Sequence, residues 1–312
     1  MIILGDRKFI GAPFDSEQEI EKVVADNAEY IFGPNSIYLP KKLIHSPEGF
    51  GTVPDGFVVD LANKQWFIIE AELSSHSVWG HIAPQISKQI TAALRPSTHA
   101  LLTELVVNLV KEDDTLQEMF TELGIEDIDI RQALTQIFQT KPIVGIPIDS
   151  VGPDLREWAQ TLKTDVKLWI VRKLVEFENP ENVLYEIPDE YKPVFDTTKK
   201  EQDNEFAYST DDITLSDLIE HGVLKASEVL RFPYKPRHGE KTQFEAQLST
   251  DGTLLVLGKE FSSPSYAAVY CMQSVGSKRR TINGWIAWRD KTGAPIFELR
   301  ERLVKKLNSN HQ

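Results

Sequence analysis

The stretch PDGFVVDLANKQWFIIEAEL, residues 54–73, contains two apolar runs separated by the polar turn Leu-Ala-Asn-Lys. Both runs have the length and the β-branched and aromatic content of strands, so the stretch predicts a β-hairpin. Because VVD and WFII are apolar on both faces, we expect this hairpin to lie inside a sheet. Asp55 begins the first run, and Glu70 and Glu72 end the second. A buried carboxylate is costly unless a partner satisfies it, so the fold must supply one.

The register of the hairpin decides whether these carboxylates meet. If Val59 pairs with Trp66, Asp55 lies opposite Glu70 in an antiparallel ladder. Glu70 and Glu72 share one face, because side chains alternate along a strand. The three carboxylates would then repel one another, and a bound Mg²⁺ or Mn²⁺ would relieve that repulsion. A solvent-exposed acidic strand end is the alternative, and a one-residue slip of register would remove the convergence.

The rest of the first two hundred residues predicts helices packed on a mixed sheet, a fold of the α/β (α+β) class. Ser16 and Glu19 form a capping box at the start of the first helix. We expect helices over residues 16–32, 81–94, 97–111, 130–138 and 153–162, and strands over residues 141–149 and 166–177. The polar residues 179–212 show no period and predict an extended linker. The expected domains are residues 1–200 and 213–312, joined by a linker at residues 201–212.

Residues 16–90 resemble the PD-(D/E)xK nuclease superfamily. The resemblance consists of a glutamate-bearing helix, the Pro-Asp pair, an acidic pair closing the next strand, and a glutamine-bearing helix. It implies a restriction-endonuclease-like fold and a Mg²⁺-dependent endonuclease in which Asp55 and Glu70 hold the metal. Glu72 stands where the family usually has lysine. Some active restriction enzymes of this fold carry glutamate there, and Glu72 would act as a base or as a ligand of a second metal.

Other residues match that family more loosely. The resemblance gives Glu17 or Glu21, on the first helix, a contact to the metal through water. Gln85 lies on the helix after the hairpin, where such enzymes place a polar residue near the site, and Gln89 follows one turn later. Lys88 is a candidate for the missing cation. For each of them, a surface or purely structural role is the alternative.

His76 and His81 support another hypothesis. With Glu70 and Glu72 they offer ligands for zinc, but the H-E-x-x-H spacing of zinc proteases is absent from this segment. A lone histidine is more often structural than catalytic. A zinc enzyme therefore stays a third alternative.

Charge is distributed unevenly along the chain. The net charge is −13, yet residues 223–312 carry 15 Lys and Arg against 8 Asp and Glu, a net of +7. The first 222 residues carry −20. This asymmetry predicts a basic nucleic-acid reader attached to an acidic domain, with a solvated basic face as the alternative.

Residues 213–302 contain the motifs L-x-x-L-x-x-x-G-V-L, D-G-T, S-S-P-S-Y-A-A and N-G-W-x-x-W, in that order. Together they resemble the RAMA domain, a small α+β module fused to restriction nucleases and adenine methyltransferases. The resemblance implies DNA binding, in some members with a preference for a modified base such as N6-methyladenine. From its sequence we expect a helix over residues 265–273, strands near residues 244–260 and 281–299, and hairpin turns at residues 251–252 and 290–293.

Five residues of this domain are candidates for contact with DNA. The basic residues Lys278, Arg279 and Arg280 suit phosphates. Asn283 and Trp285 combine an amide able to pair with adenine and an aromatic face. The alternative makes Asn283 part of a turn and Trp285 part of the core, and for Trp288 we expect the core.

Composition narrows the setting. The longest apolar runs are too short to cross a membrane, the first residues do not form a signal peptide, and a single cysteine excludes an internal disulfide. We expect a cytoplasmic, Mg²⁺-dependent deoxyribonuclease of a restriction or phage-defence system. Its partner would be double-stranded DNA, methylated or not, and a homodimer is expected because two strands are cut. A catalytically inactive DNA-binding protein with a nuclease fold is the alternative.

Overall fold

The computed structural model describes residues 1–46, 48–49, 51–188, 190–198, 210, 213–236 and 239–309. The chain divides into two compact units, Met1–Lys200 and Glu201–Gln312, and each is described by itself. Apart from Thr210, the linker expected at residues 201–212 lies outside the described residues. Among the described helices, none is long and apolar enough to cross a membrane.

A six-stranded mixed sheet forms the centre of the first unit. Its strands, in spatial order, are β12 (Phe195–Asp196), β9 (Val166–Ile170), β8 (Ile143–Ile148), β7 (Gln65–Ile69), β6 (Gly56–Asp60) and β3 (Ser36–Pro40). The strands β7, β8 and β9 run parallel to one another, whereas the pairs β3–β6, β6–β7 and β9–β12 are antiparallel. The mixed sheet expected from the sequence is confirmed.

The β6–β7 hairpin lies in the interior of this sheet. Val59 pairs with Trp66, as the sequence predicts, and both side chains are fully buried. The turn is closed at Asp60, whose Oδ1 accepts from the Asn63 backbone N–H at 3.0 Å. This register carries Asp55 and Glu70 to the same end of the hairpin.

Helices cover both faces of the sheet because its strands are apolar on both. The first face packs against α1 (Glu17–Asp26) and α2 (Ala28–Phe32). The second packs against α3 (Ala83–Ala93), α4 (Pro96–Glu112), α5 (Asp114–Glu122) and α6 (Ile130–Phe138). The helix α7 (Pro153–Thr161) covers β8 and β9. A single helix was expected over residues 16–32, but Asn27 interrupts it.

A second sheet contains β1 (Ile2–Leu4), β2 (Arg7–Ala12), β10 (Arg172–Glu176) and β11 (Val183–Glu186). The long strand expected over residues 166–177 is therefore wrong, because Val171 separates β9 and β10, which belong to different sheets. The linker expected from residue 179 is wrong in its first part, because β11 and β12 pair with β10 and β9. A small ladder joins β4 (Ile44–His45) and β5 (Gly51–Thr52).

The second unit is a four-stranded sheet packed with helices around one core. Its strands are β13 (Val229–Tyr234), β14 (Thr242–Leu248), β15 (Leu254–Val256) and β16 (Lys259–Phe261). Its helices are α8 (Leu215–Glu220), α9 (Pro264–Ser274), α10 (Gly284–Ala287) and α11 (Ile296–Ser309). The α9 helix is confirmed. The strand expected near residues 281–299 is wrong, because α10 and the start of α11 lie within this segment and its β structure is limited to isolated bridges from Arg289 to Arg231 and Pro295.

The N-G-W-x-x-W motif docks α10 against the start of α9. The Gly284 backbone N–H donates to Ser265 Oγ at 3.1 Å, and Trp288 Nε1 donates to the Pro264 carbonyl at 2.9 Å. A Cβ on Gly284 would overlap the Pro264 carbonyl carbon and the Ser265 nitrogen, which are backbone atoms. Glycine is therefore required by close approach of two backbones.

This contact predicts that Gly284→Ala destabilises the protein by about 1–3 kcal/mol, because backbone atoms cannot move aside as a flexible side chain can. The same substitution at Gly152, where a Cβ would meet open space, is the control. Thermal unfolding followed by circular dichroism measures both. Equal melting temperatures for the two variants would contradict the close approach.

Candidate functional site

Three carboxylates lie buried at one end of the β6–β7 hairpin. Asp55, Glu70 and Glu72 are 7%, 1% and 0% exposed. The backbone N–H groups of Glu70 and Glu72 donate to carbonyl oxygens of β8, at 3.1 and 3.0 Å, which fixes both residues against the sheet. The alternative of a solvent-exposed strand end is therefore wrong.

Lys41 is the cation beside Asp55. Its Nζ lies 3.1 Å from Asp55 Oδ1 and 2.6 Å from Glu21 Oε2. It takes this position because β3 pairs with β6 and ends opposite Gly56, so the next residue reaches the start of β6. The other oxygen of Asp55 accepts from the Ala71 backbone N–H at 2.9 Å. Lys41 was not among the residues predicted from the sequence, and Lys88, the predicted cation, is exposed on α3.

Glu70 has a partner on only one of its two oxygens. Its Oε2 accepts from Gln89 Nε2 at 2.7 Å, and Gln89 is completely buried on α3. Its Oε1 is buried without a hydrogen-bond partner among the described residues. Gln85, one turn earlier on α3, is half-buried. Of the two glutamines, Gln89 therefore makes the direct contact.

Burial dominates the electrostatics of these carboxylates. Burial and the charge of Asp55 raise the pKa of the Glu70 carboxyl well above its usual range, against the hydrogen bond from Gln89. Burial, and then the charge of Glu21, raise the pKa of Asp55, although the Ala71 N–H and Lys41 oppose them. Burial also raises the pKa of Glu72. In the metal-free site the ionised forms of these carboxylates are therefore disfavoured, and a bound cation would stabilise them.

Glu72 faces two histidines. Its Oε2 lies 2.9 Å from His76 Nδ1, and its Oε1 lies 3.9 Å from His81 Nε2 and has no hydrogen-bond partner among the described residues. With Glu17 they form a group whose ligand atoms all lie within 4.8 Å of one another. The zinc hypothesis from the sequence grouped His76 and His81 with both Glu70 and Glu72. In the structure the two histidines face Glu72.

Asp55 belongs to a second group of the same kind, with Glu17 and Glu21. Among the described residues, neither group contains Glu70. Asp55 and Glu72, which the sequence analysis assigned to one metal, are thus divided between two groups that share Glu17. Both helical glutamates that the resemblance named are close to the buried carboxylates.

In the second unit, the predicted DNA contacts differ in their accessibility. Lys278 and Arg280 are exposed, whereas Arg279 is only 5% exposed. The continuous basic run expected at the surface is therefore interrupted, because the Arg279 side chain turns into the domain.

The aromatic and amide candidates of the second unit are engaged in internal contacts. Asn283 caps α10, since its Oδ1 accepts from the Trp285 backbone N–H at 3.1 Å. Trp285 is half-buried, and the Arg300 guanidinium covers its ring at 4.1 Å. Trp288 is completely buried, so the core role expected for it is confirmed. The turn alternative for Asn283 matches its observed contact.

Comparison with known families concerns the C-terminal part of the chain. Residues 196–309 match the model of the family described as Restriction Enzyme Adenine Methylase Associated, or RAMA. The chain carries a C-terminal RAMA domain. The match begins before the expected start at residue 213. No curated protein matches the chain in sequence. The resemblance of the first unit to PD-(D/E)xK nucleases stays a prediction.

The raised pKa of Glu70 predicts how metal-free stability depends on pH. The folded state keeps a proton that the unfolded state releases, so this stabilisation is present at low pH and is lost as the pH rises above about 4. Glu70→Gln removes the effect. In EDTA, we expect the variant to gain stability over wild type on the order of 1–3 kcal/mol between about pH 5 and pH 8.

Chemical denaturation at a series of pH values measures this difference. Glu112→Gln, at an exposed position on α4, is the control and should follow wild type. If the free energy of unfolding changed with pH in the same way for Glu70→Gln and wild type, Glu70 would be ionised in the folded protein without a cost in stability.

Proposed function

We propose that the protein is a metal-dependent DNA endonuclease of a restriction or defence system, with the RAMA domain contributing to the choice of DNA. The observation that carries the proposal is the pair of buried oxygens, one on Glu70 and one on Glu72, without hydrogen-bond partners among the described residues. A protein rarely leaves such atoms unsatisfied, and a cation is a partner of the right charge. The RAMA match adds the context of restriction and adenine methylation.

The donor set fits Mg²⁺ or Mn²⁺, because both favour carboxylate oxygens. In this proposal Asp55 and Glu70 hold the metal. A bound Mg²⁺ supplies charge neutralisation at the phosphate and a more acidic water. Gln89 holds Glu70 in place through its hydrogen bond. Lys41 balances the charge of Asp55 and Glu21, and Glu72 is placed to accept a proton.

A rival function is DNA binding without catalysis. Lys41 favours it, because its ammonium already neutralises Asp55 at 3.1 Å, and glutamate replaces the lysine usual at position 72 in the family resembled. In that case the carboxylates serve only the fold, and the protein would bind DNA with or without Mg²⁺.

The two functions differ in what Asp55→Asn and Glu70→Gln do. We expect each substitution to lower Mg²⁺-dependent nicking of supercoiled plasmid at least about 100-fold, because loss of a ligand removes several kcal/mol of stabilisation from the transition state. DNA binding should persist. Asp60→Asn, at the other end of β6, is the matched control and should keep activity.

Wild-type protein that binds plasmid but does not nick it in Mg²⁺ or Mn²⁺ would favour the rival. An Asp55→Asn protein with full activity would refute the assignment of the site. Glu72→Lys restores the residue usual in the family resembled, yet we expect it to lower activity, because the fully buried position faces His76 and His81.

We also propose that the second unit binds DNA phosphates through Lys278 and Arg280. Both are exposed, and residues 223–312 carry a net charge of +7.

We propose that the protein acts as a homodimer, which would place one nuclease site on each strand of a duplex.

Replacing Lys278 and Arg280 with alanine should weaken DNA binding and lower the slope of log affinity against log salt by up to about 1.8. Fluorescence anisotropy at several salt concentrations measures this. Lys305→Ala with Lys306→Ala, which removes two exposed charges from α11, is the control. Equal effects of the two double variants would show that the contact is not specific to Lys278 and Arg280.

A further inference from the structure

A widened helical turn presents His81 to Glu72. The Ile82 N–H bonds to the Ser77 carbonyl at 3.3 Å, and the Ala83 N–H bonds to the Val78 carbonyl, so both bonds span five residues. This single π-helical turn, Val78–Ile82, precedes α3. Such turns are rare and often occur at functional sites, because the additional residue redirects a side chain.

The surroundings of Glu72 combine two imidazoles and two carboxylates. We propose that Glu17, Glu72, His76 and His81 form a metal site of their own, which takes a first-row divalent transition metal such as Zn²⁺ rather than Mg²⁺. The proposal does not depend on the nuclease function: the two sites share only Glu72, and Zn²⁺ binding would use this carboxylate as a ligand rather than as a base.

Glu72 is the fixed point of this site. Its side chain is completely buried, its backbone N–H is bonded to β8, and its Oε1 has no hydrogen-bond partner among the described residues. A buried carboxylate oxygen in this state requires a partner. His81 Nε2, which can also bind a metal, lies 3.9 Å from it.

Small side-chain movements would bring the four ligand atoms to the spacing that they would have around a bound metal. Their ligand atoms lie within 4.8 Å of one another. Around a tetrahedral Zn²⁺, with bonds of about 2.0–2.1 Å, ligand atoms lie about 3.4 Å apart. The side chains of His76 and His81 are 28% and 45% exposed, so they can move, and a cation can enter from solvent.

The type of ligand selects the metal. Imidazole nitrogen suits Zn²⁺ and other transition metals, whereas Mg²⁺ favours oxygen ligands in octahedral geometry. The rings of His76 and His81 stand edge to face with centroids 4.8 Å apart, so both can turn a nitrogen towards Glu72. In the metal-free protein, the contact between His76 Nδ1 and Glu72 Oε2 takes the place of a bond to metal.

Zn²⁺ titrated into EDTA-treated and dialysed full-length protein tests the site by calorimetry. We expect one equivalent to bind, and His76→Ala or His81→Ala to weaken that binding at least about tenfold. The double variant should lose the equivalent. His45→Ala, at an exposed position in the same unit, is the matched control and should bind as wild type does. With Co²⁺ as the probe, visible absorption should change in the histidine variants only.

Two results would overturn the proposal: wild type that binds no Zn²⁺, or a double histidine variant that binds it as tightly as wild type. Asp55→Asn and Glu70→Gln should retain Zn²⁺ binding, which separates this site from the proposed nuclease site. If these variants keep both Zn²⁺ binding and plasmid cleavage, the nuclease assignment fails while the transition-metal site stands. Mg²⁺ that displaces Zn²⁺ when both are present at equal concentration would also contradict the preference of the site for a transition metal.

Discussion

The burial of carboxylate charge at the end of the β6–β7 hairpin is the constraint on which the organisation of the first unit depends. The hairpin lies between β3 and β8, and its end opposite the turn, which carries Asp55, Glu70 and Glu72, is buried. Each carboxylate then needs a partner from a different element. Asp55 receives Lys41 from beyond β3, Glu70 receives Gln89 from α3, and Glu72 receives His76 from the turn after β7.

These partners do not satisfy the carboxylates fully. A buried ion pair regains in attraction roughly what its ions lose in solvation, and less where an oxygen stays unpaired. Within the part of the chain that the structure describes, Glu70 and Glu72 each retain such an oxygen. A site that served the fold alone would be at least as stable with neutral residues, which supports the proposal of a bound cation.

The sequence predicts this hairpin well because the evidence for it is local. Two apolar runs rich in β-branched and aromatic residues, separated by a four-residue turn, predict the pairing of Val59 with Trp66. Lys41 could not be found in the same way. Its place beside Asp55 requires β3 to be recognised from the short run SIYLP and then paired with β6, which is a non-local event. The contact of His81 with Glu72 depends on the π-helical turn, for which the sequence carries no simple signal.

Elsewhere tertiary context overrides local pattern. The residues around Val171 have the apolar content of one strand, yet the chain there passes from one sheet to another. The segment containing Trp285 and Trp288 has the apolar and aromatic content of a strand, but it forms the short helix α10, which docks on α9. The polar residues 183–196 lack any period because β11 is largely exposed and β12 has only two residues.

The docking of α10 on α9 changes what the RAMA motif signifies. Ser265 Oγ accepts from the Gly284 N–H, Trp288 Nε1 donates to the Pro264 carbonyl, and Gly284 leaves no room for a Cβ, so these motif residues are occupied by contacts inside the domain. The motif in a sequence therefore indicates that α10 docks on α9. A domain could change its ligand and still keep this docking. The residues between the motif positions would then determine which ligand the domain binds. The motif alone does not identify that ligand.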